Sequence, residues 1–216
     1  MNVDVKKILS NMLEESTDQV MFMHGFKRRR SSFFYSRTIG TTKQKIEIIS
    51  FSHPSYHPGA LAHVYPWLSV SFPAVNEIAS EMVEENLIAN LKDITIRQPV
   101  QIYSDSECWV LMSDMESEKI AENMNKFFIE YTVPMLDDLG SVCDYIKLYE
   151  QKDKRLIMDD RQHIFVASAY VLEGDYEKAK GVLENRFGKT GVRKKYASAF
   201  DYLKGININK LENDKE

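Results

Sequence analysis

The sequence predicts an α+β fold on three observations: helical periodicity at its start, period-two alternation through its middle, and helical periodicity alone from Glu116 onward. At the start, Val5, Ile8, Leu9, Met12 and Leu13 recur at helical spacing with Lys6, Lys7, Asn11 and Glu14 opposite them. This is an amphipathic helix that ends before Gly25. "SSFFYSRTI" then reads as a first strand, "GTTK" as a turn, and "QKIEIISFS" as a second strand in which Ile46 and Ile48 alternate with Lys45 and Glu47. Residues 53–66, "HPSYHPGALAHVYP", hold three of the six prolines and read as an ordered loop, because proline removes ladder and helix donors.

"WLSVSFP" places Leu68, Val70 and Phe72 against Trp67, Ser69 and Ser71, a half-buried strand. After Pro73, Val75, Ile78, Ala79, Met82 and Val83 form a helical stripe. "ITIRQPVQIYSD" and "CWVLMSD" supply two short strands, the first interrupted by Pro99, so that an antiparallel sheet of about five strands is expected. From Glu116 a helix runs through Ile120, Met124, Phe127, Phe128 and Tyr131, breaks near Pro134, and resumes through Leu136, Leu139, Val142 and Ile146. A helical pair over 161–187 follows, turning at Gly174-Asp175. The domain reading is an α+β domain over 1–150 and a C-terminal helical hairpin or extension over 151–216.

Composition excludes several classes of function. A hydrophobic fraction of 44% is that of a globular chain and not of a disordered one. The net charge of −4 provides no global field for a polyanion, so any nucleic-acid site must be local. Cys108 and Cys143 have no CxxC partner and suit a reducing interior. The N-terminal stretch lacks the apolar core of a signal peptide, and no apolar run approaches the ~20 residues that cross a bilayer, so a cytoplasmic protein without membrane contact is expected.

No nucleophile elbow, zinc-protease helix, phosphate-binding loop or dinucleotide fingerprint is present, and neither cysteine sits in a setting that would activate it. The carboxylates of "SDMESE" and "MDDR" read as helix caps and solvated faces. Three constellations remain. Lys27, Arg28, Arg29 and Arg30 precede Phe33, Phe34 and Tyr35, which are the ingredients of a phosphate and base-stacking site. In a strand those aromatics alternate faces, however, so the favoured reading is a solvated cationic shoulder whose aromatics mainly pack the core. His53, His57 and His63 share one loop at spacings that could serve a metal ion. Tyr56, His57, Tyr65 and Trp67 are the residue types that anchor protein interfaces.

Two resemblances add to this. Ala169, Gly174, Tyr176 and Ala179 resemble part of a tetratricopeptide repeat over about two helices, fewer than such a solenoid needs. "GFKRRRSSFFYSR", the "WLSVSF" strand and the "VPMLDDL" helix start resemble an uncharacterised bacterial α+β domain family in which a Gly-Phe-basic segment opens an antiparallel sheet, over residues 3–150. That resemblance implies at most a partner-binding protein of the immunity type and transfers no catalytic residue. The functional expectation is therefore a non-enzymatic protein-binding protein, a toxin-neutralising immunity protein or adaptor, using Tyr56, His57, Tyr65 and Trp67 and no cofactor. The alternative is a nucleic-acid-associated protein or metal-assisted nuclease using Lys27–Arg30 with His53, His57 and His63.

Overall fold

In the computed structural model, residues 4–84, 93–103 and 109–213 are described, with backbone only for residue 103 and residues 207–213. Cys108 and the last three residues of the charged tail lie outside them. The architecture is α+β: an N-terminal helix, a five-stranded antiparallel sheet, and helices afterwards. Contacts divide the chain into two compact units, each assembled from two stretches rather than by one cut: 1–70 with 97–140, and 71–96 with 141–216.

In the first unit, Asp4 caps α1 (Val5–Met12) by accepting the Lys7 amide, a π turn over Leu13–Thr17 follows, and α2 (Asp18–Met23) completes the helix. Gly25, at φ +80°, makes the left-handed turn that ends it. Strands β1 (Phe34–Ile39) and β2 (Thr42–Ser52) form a two-residue hairpin in which Ile39 faces Thr42 and Phe34 faces Glu47. Strand β3 (Ala62–Ser71) is ten residues long and begins inside the stretch read as a loop. The true loop is 53–61; Ala62, His63 and Val64 pair with Leu111, Val110 and Trp109 of β5 (Trp109–Leu111), and Pro66 lies further along the same strand. The sheet order is β1-β2-β3-β4, where β4 is Ile96–Pro99, with β5 also pairing to β3.

Burial alternates along β2 and β3, and this gives the first unit's sheet two different faces. Ile46, Ile48, Ala62, Val64 and Leu68 point inward and are buried. Each such side chain removed from water contributes roughly 1.5–3 kcal/mol for the larger aliphatics. The inner face meets helix: Trp109 packs edge-on against Phe127, with ring centroids 5.3 Å apart, and buried Gln44 donates to the carbonyls of Leu136 and Leu139. Arg37 adds a polar tie, donating to Gln44 Oε1 (2.7 Å) and the His24 carbonyl (2.9 Å), with its guanidinium over the Phe26 ring.

The helical run after β5 differs from expectation at Pro134. Helix α4 (Ser117–Phe127) passes into a π turn over Phe128–Thr132 and directly into α5 (Val133–Asp137). Proline lacks the amide hydrogen for the carbonyl four residues back, and the wider π register immediately before it lets the chain stay helical until Asp137.

In the second unit, α3 (Pro73–Met82) buries Val75, Ala79 and Met82. The first stretch of this unit ends at Ile96, the first residue of β4, and the second opens at Ser141, which caps α6 (Val142–Glu150). Then α7 (Asp160–Leu172) and α8 (Tyr176–Phe187) form the helical hairpin, turning at Gly174 with φ +77°. Short α9 (Thr190–Lys195) and α10 (Ala197–Asn213) close the chain. Buried Gln162 donates to the Thr95 carbonyl (2.6 Å) and accepts from the Tyr145 hydroxyl (2.8 Å), while Thr95 Oγ1 donates to Asn76 Oδ1 (2.7 Å). Satisfying these groups jointly is what makes their burial affordable.

The basic stretch is where the sequence reading needs most correction. Arg28 is not part of a solvated shoulder: its side chain is 1% exposed, and its Nε and terminal nitrogen each lie 2.7 Å from an oxygen of Asp18. The remaining terminal nitrogen donates to the carbonyls of Arg30 and Ser32, and the Tyr35 hydroxyl donates to Asp18 as well (2.7 Å). The pair ties the π-turn end of the first helix to β1. Burial alone would raise the Asp18 carboxyl, but the hydrogen bonds from Arg28 and then Tyr35 outweigh it and hold the pKa below the usual range. An aspartate with a lowered folded pKa adds stability above its unfolded pKa of about 4, and that stability is lost as pH falls through the folded value. Arg28→Ala should therefore destabilise by about 2–3 kcal/mol in denaturant unfolding at pH 7, less than for a fully buried pair because Asp18 keeps water access. The deficit should shrink as Asp18 is protonated in acid.

Candidate docking face

The outward positions of the same strands carry a different chemistry. Outward residues of β2 are Lys45, Glu47, Ile49 and Phe51; those of β3 are His63, Tyr65 and Trp67; β4 adds Arg97. Because residues i and i+2 share a face, the three β3 rings form a column: His63 and Tyr65 centroids are 5.7 Å apart, and Tyr65 and Trp67 are 6.2 Å apart. Phe51 joins His63 from the neighbouring strand at 6.3 Å.

The loop 53–61 folds back onto the upper end of this column. His53 enters it with φ 47° and its amide bonded to the Leu61 carbonyl, while Gly59 turns at φ +86°. Tyr56 and His57 are thereby brought to His63: Tyr56 Oη lies 3.0 Å from His63 Nδ1, and the His57 and His63 rings meet edge to face at 5.6 Å. Met112, leaving β5, lies against Gly59 of this loop and is exposed.

At the lower end, two cations cover two of the aromatic faces. The Arg97 guanidinium sits over Trp67 at 4.6 Å and the Lys45 ammonium over Phe34 at 4.3 Å. Glu47 bridges them, 2.5 Å from Lys45 and 3.1 Å from Arg97. Burial would raise the Glu47 carboxyl, yet the contacts from Lys45 and then Arg97 hold it below the ordinary range, so it stays ionised at neutral pH.

Of the residues singled out from the sequence, Tyr56, His57, Tyr65 and Trp67 fall on one continuous surface with His63. The three loop histidines do not form a set. His57 and His63 come together, and among the described residues no group of three His, Cys, Asp or Glu is placed to hold a metal ion. Of the four cations in the basic stretch, Arg28 is committed to Asp18, Arg30 lies 3.0 Å from Glu14, and Lys27 pairs through its backbone with Ser36. Phe34 is not core; its ring lies under Lys45 on the outer face, whereas Tyr35 is buried. Cys143 is exposed, and neighbouring Glu173 raises its thiol pKa, the opposite of activation. Sequence reading missed Arg97, Phe51 and the exposed Met112. The period-two pattern of "IRQP" placed Arg97 opposite Ile96 and Gln98 and was the signal for it.

A scan of family models, a search of curated proteins and a search of solved structures each found no match to this chain. Among the described residues, no helix is long and apolar enough to cross a membrane.

Burial, and secondarily the neighbouring His57, lower the pKa of His63. A histidine whose folded pKa is depressed favours the folded state when neutral, so stability falls as pH drops from about 6.5 through the folded value. Proton-detected titration of the histidine ring carbons should place His63 below the ordinary histidine range and move it upward in His57→Gln. An unshifted His63 would remove the electrostatic coupling of the two rings.

Proposed function

We propose that this chain is a non-enzymatic protein-binding protein, an adaptor or a toxin-neutralising immunity protein, whose docking surface is the outer face of the sheet. The observation that carries this reading is the aromatic column from Tyr56 and His57 through His63 and Tyr65 to Trp67 and Arg97, half-buried to exposed on a rigid sheet. Tyr, Trp and Arg dominate the energetics of protein interfaces because they supply large area at low conformational cost. A strand-mounted column also needs little ordering on binding.

The ring geometry favours a protein over single-stranded nucleic acid. Base stacking needs open, similarly oriented ring faces, whereas Tyr65 and Trp67 are inclined by 72° and Trp67 and Phe34 each carry a cation. The buried Arg28 further weakens the phosphate-contact reading of the basic stretch.

The test is capture of the tagged protein from its native lysate, with nuclease-treated and untreated halves compared with a Tyr65→Ala, Trp67→Ala variant. The expected result is one stoichiometric protein partner that survives nuclease and is lost, by tenfold or more, with the double variant. Nuclease-sensitive capture, or capture indifferent to both substitutions, would overturn the reading.

A further inference from the structure

The outer face is graded along its length. At the hairpin end are exposed Lys43, then Lys45, with Arg97 beside Glu47; these four side chains carry a net charge of two positive on a chain whose total is −4. At the loop end are Phe51, Tyr56 and Met112, all exposed, with Met112 against Gly59 of the loop. Between them run Trp67, Tyr65 and His63. From Lys43 to Phe51 the strand rises about 26 Å, the length of roughly 17 residues of helix.

Exposed apolar side chains clustered at one end of a surface, with a local charge opposite to that of the whole molecule at the other, constitute two complementary requirements on an occupant. Glu47 shows that the cationic end already accepts a carboxylate: Lys45 and Arg97 converge on its two oxygens. On the reading that this face docks a protein, we infer that its partner contributes a segment that is apolar or aromatic at one end and acidic at the other, lying along the strands with its acidic end over Lys43 and Lys45. A neutral or basic partner would desolvate the excess of two positive charges that Glu47 leaves at this end, with nothing to compensate it.

The probe is a displayed library of random 17-residue segments panned on the intact protein at about 0.1 M salt, with oligothymidylate as a separate competitor. The expected selection carries Asp or Glu at one end and aromatic or large aliphatic residues at the other. Its binding should weaken about tenfold in Lys43→Glu, Lys45→Gln, weaken less in Lys43→Gln, be lost in Tyr65→Ala, Trp67→Ala, and decline with added salt. Thermal unfolding of the charge variants should match the parent, showing that lost binding is not lost folding. Selected segments that depend on Tyr65 and Trp67 but are basic or uncharged, or are indifferent to the Lys43 variants, would overturn the acidic partner and leave the docking face standing. Failure to enrich any segment that depends on Tyr65 and Trp67 would overturn both. Oligothymidylate displacing the segments and binding more tightly would assign the face to single-stranded nucleic acid and overturn both as well.

Discussion

Everything at the proposed site depends on the pleat of strands β2 and β3. Successive side chains on a strand must point to opposite faces, so burying Ile46, Ile48, Val64 and Leu68 forces Lys45, Glu47, His63, Tyr65 and Trp67 outward together. A one-residue slip in register would exchange the two sets, placing Lys45 and Glu47 in the core and the aliphatics in water. The inner face therefore fixes the outer one, and the aromatic column is as rigid as the core behind it.

That coupling also explains what was readable in the sequence. The alternation of "QKIEIISFS" and "WLSVSF" located both faces of the sheet, and the five-stranded antiparallel architecture followed from it. The helical hairpin at Gly174-Asp175 was likewise visible, because the turn and its flanking periodicity are local signals. Strand β3 was underestimated at its start because Pro66 breaks the usual strand signature, while the pairing of Ala62, His63 and Val64 with β5 is a long-range fact. The uninterrupted helix through Pro134 was missed for a similar reason, since the π turn before it has no compositional signature. Arg28 was misjudged because its neighbours in sequence are exposed cations while its partner, Asp18, lies ten residues away on a helix.

The charges around the sheet divide by purpose. Arg28 and Arg37 are drawn inward, where fixed guanidinium forks satisfy carboxylate and carbonyl groups and join helix to strand. Lys45 and Arg97 lie outside, where they cover aromatic faces and share a single carboxylate. Those outer pairs are half-buried and keep water on one side, so solvent screening limits what they contribute to folding, and their groups can exchange partners when another surface arrives.

The most direct test of this account uses the chain's two tryptophans, one on each face of the same sheet. Trp109 is 2% exposed against Phe127, and Trp67 stands on the outer face under Arg97. With 5-fluorotryptophan incorporated, fluorine NMR of the free protein and of the protein with its captured partner reports both faces at once. Docking on the outer face requires the Trp67 resonance to move and broaden on binding while Trp109 keeps its position. A partner that binds stoichiometrically and leaves Trp67 unchanged would contradict the assignment of the outer face as the docking surface.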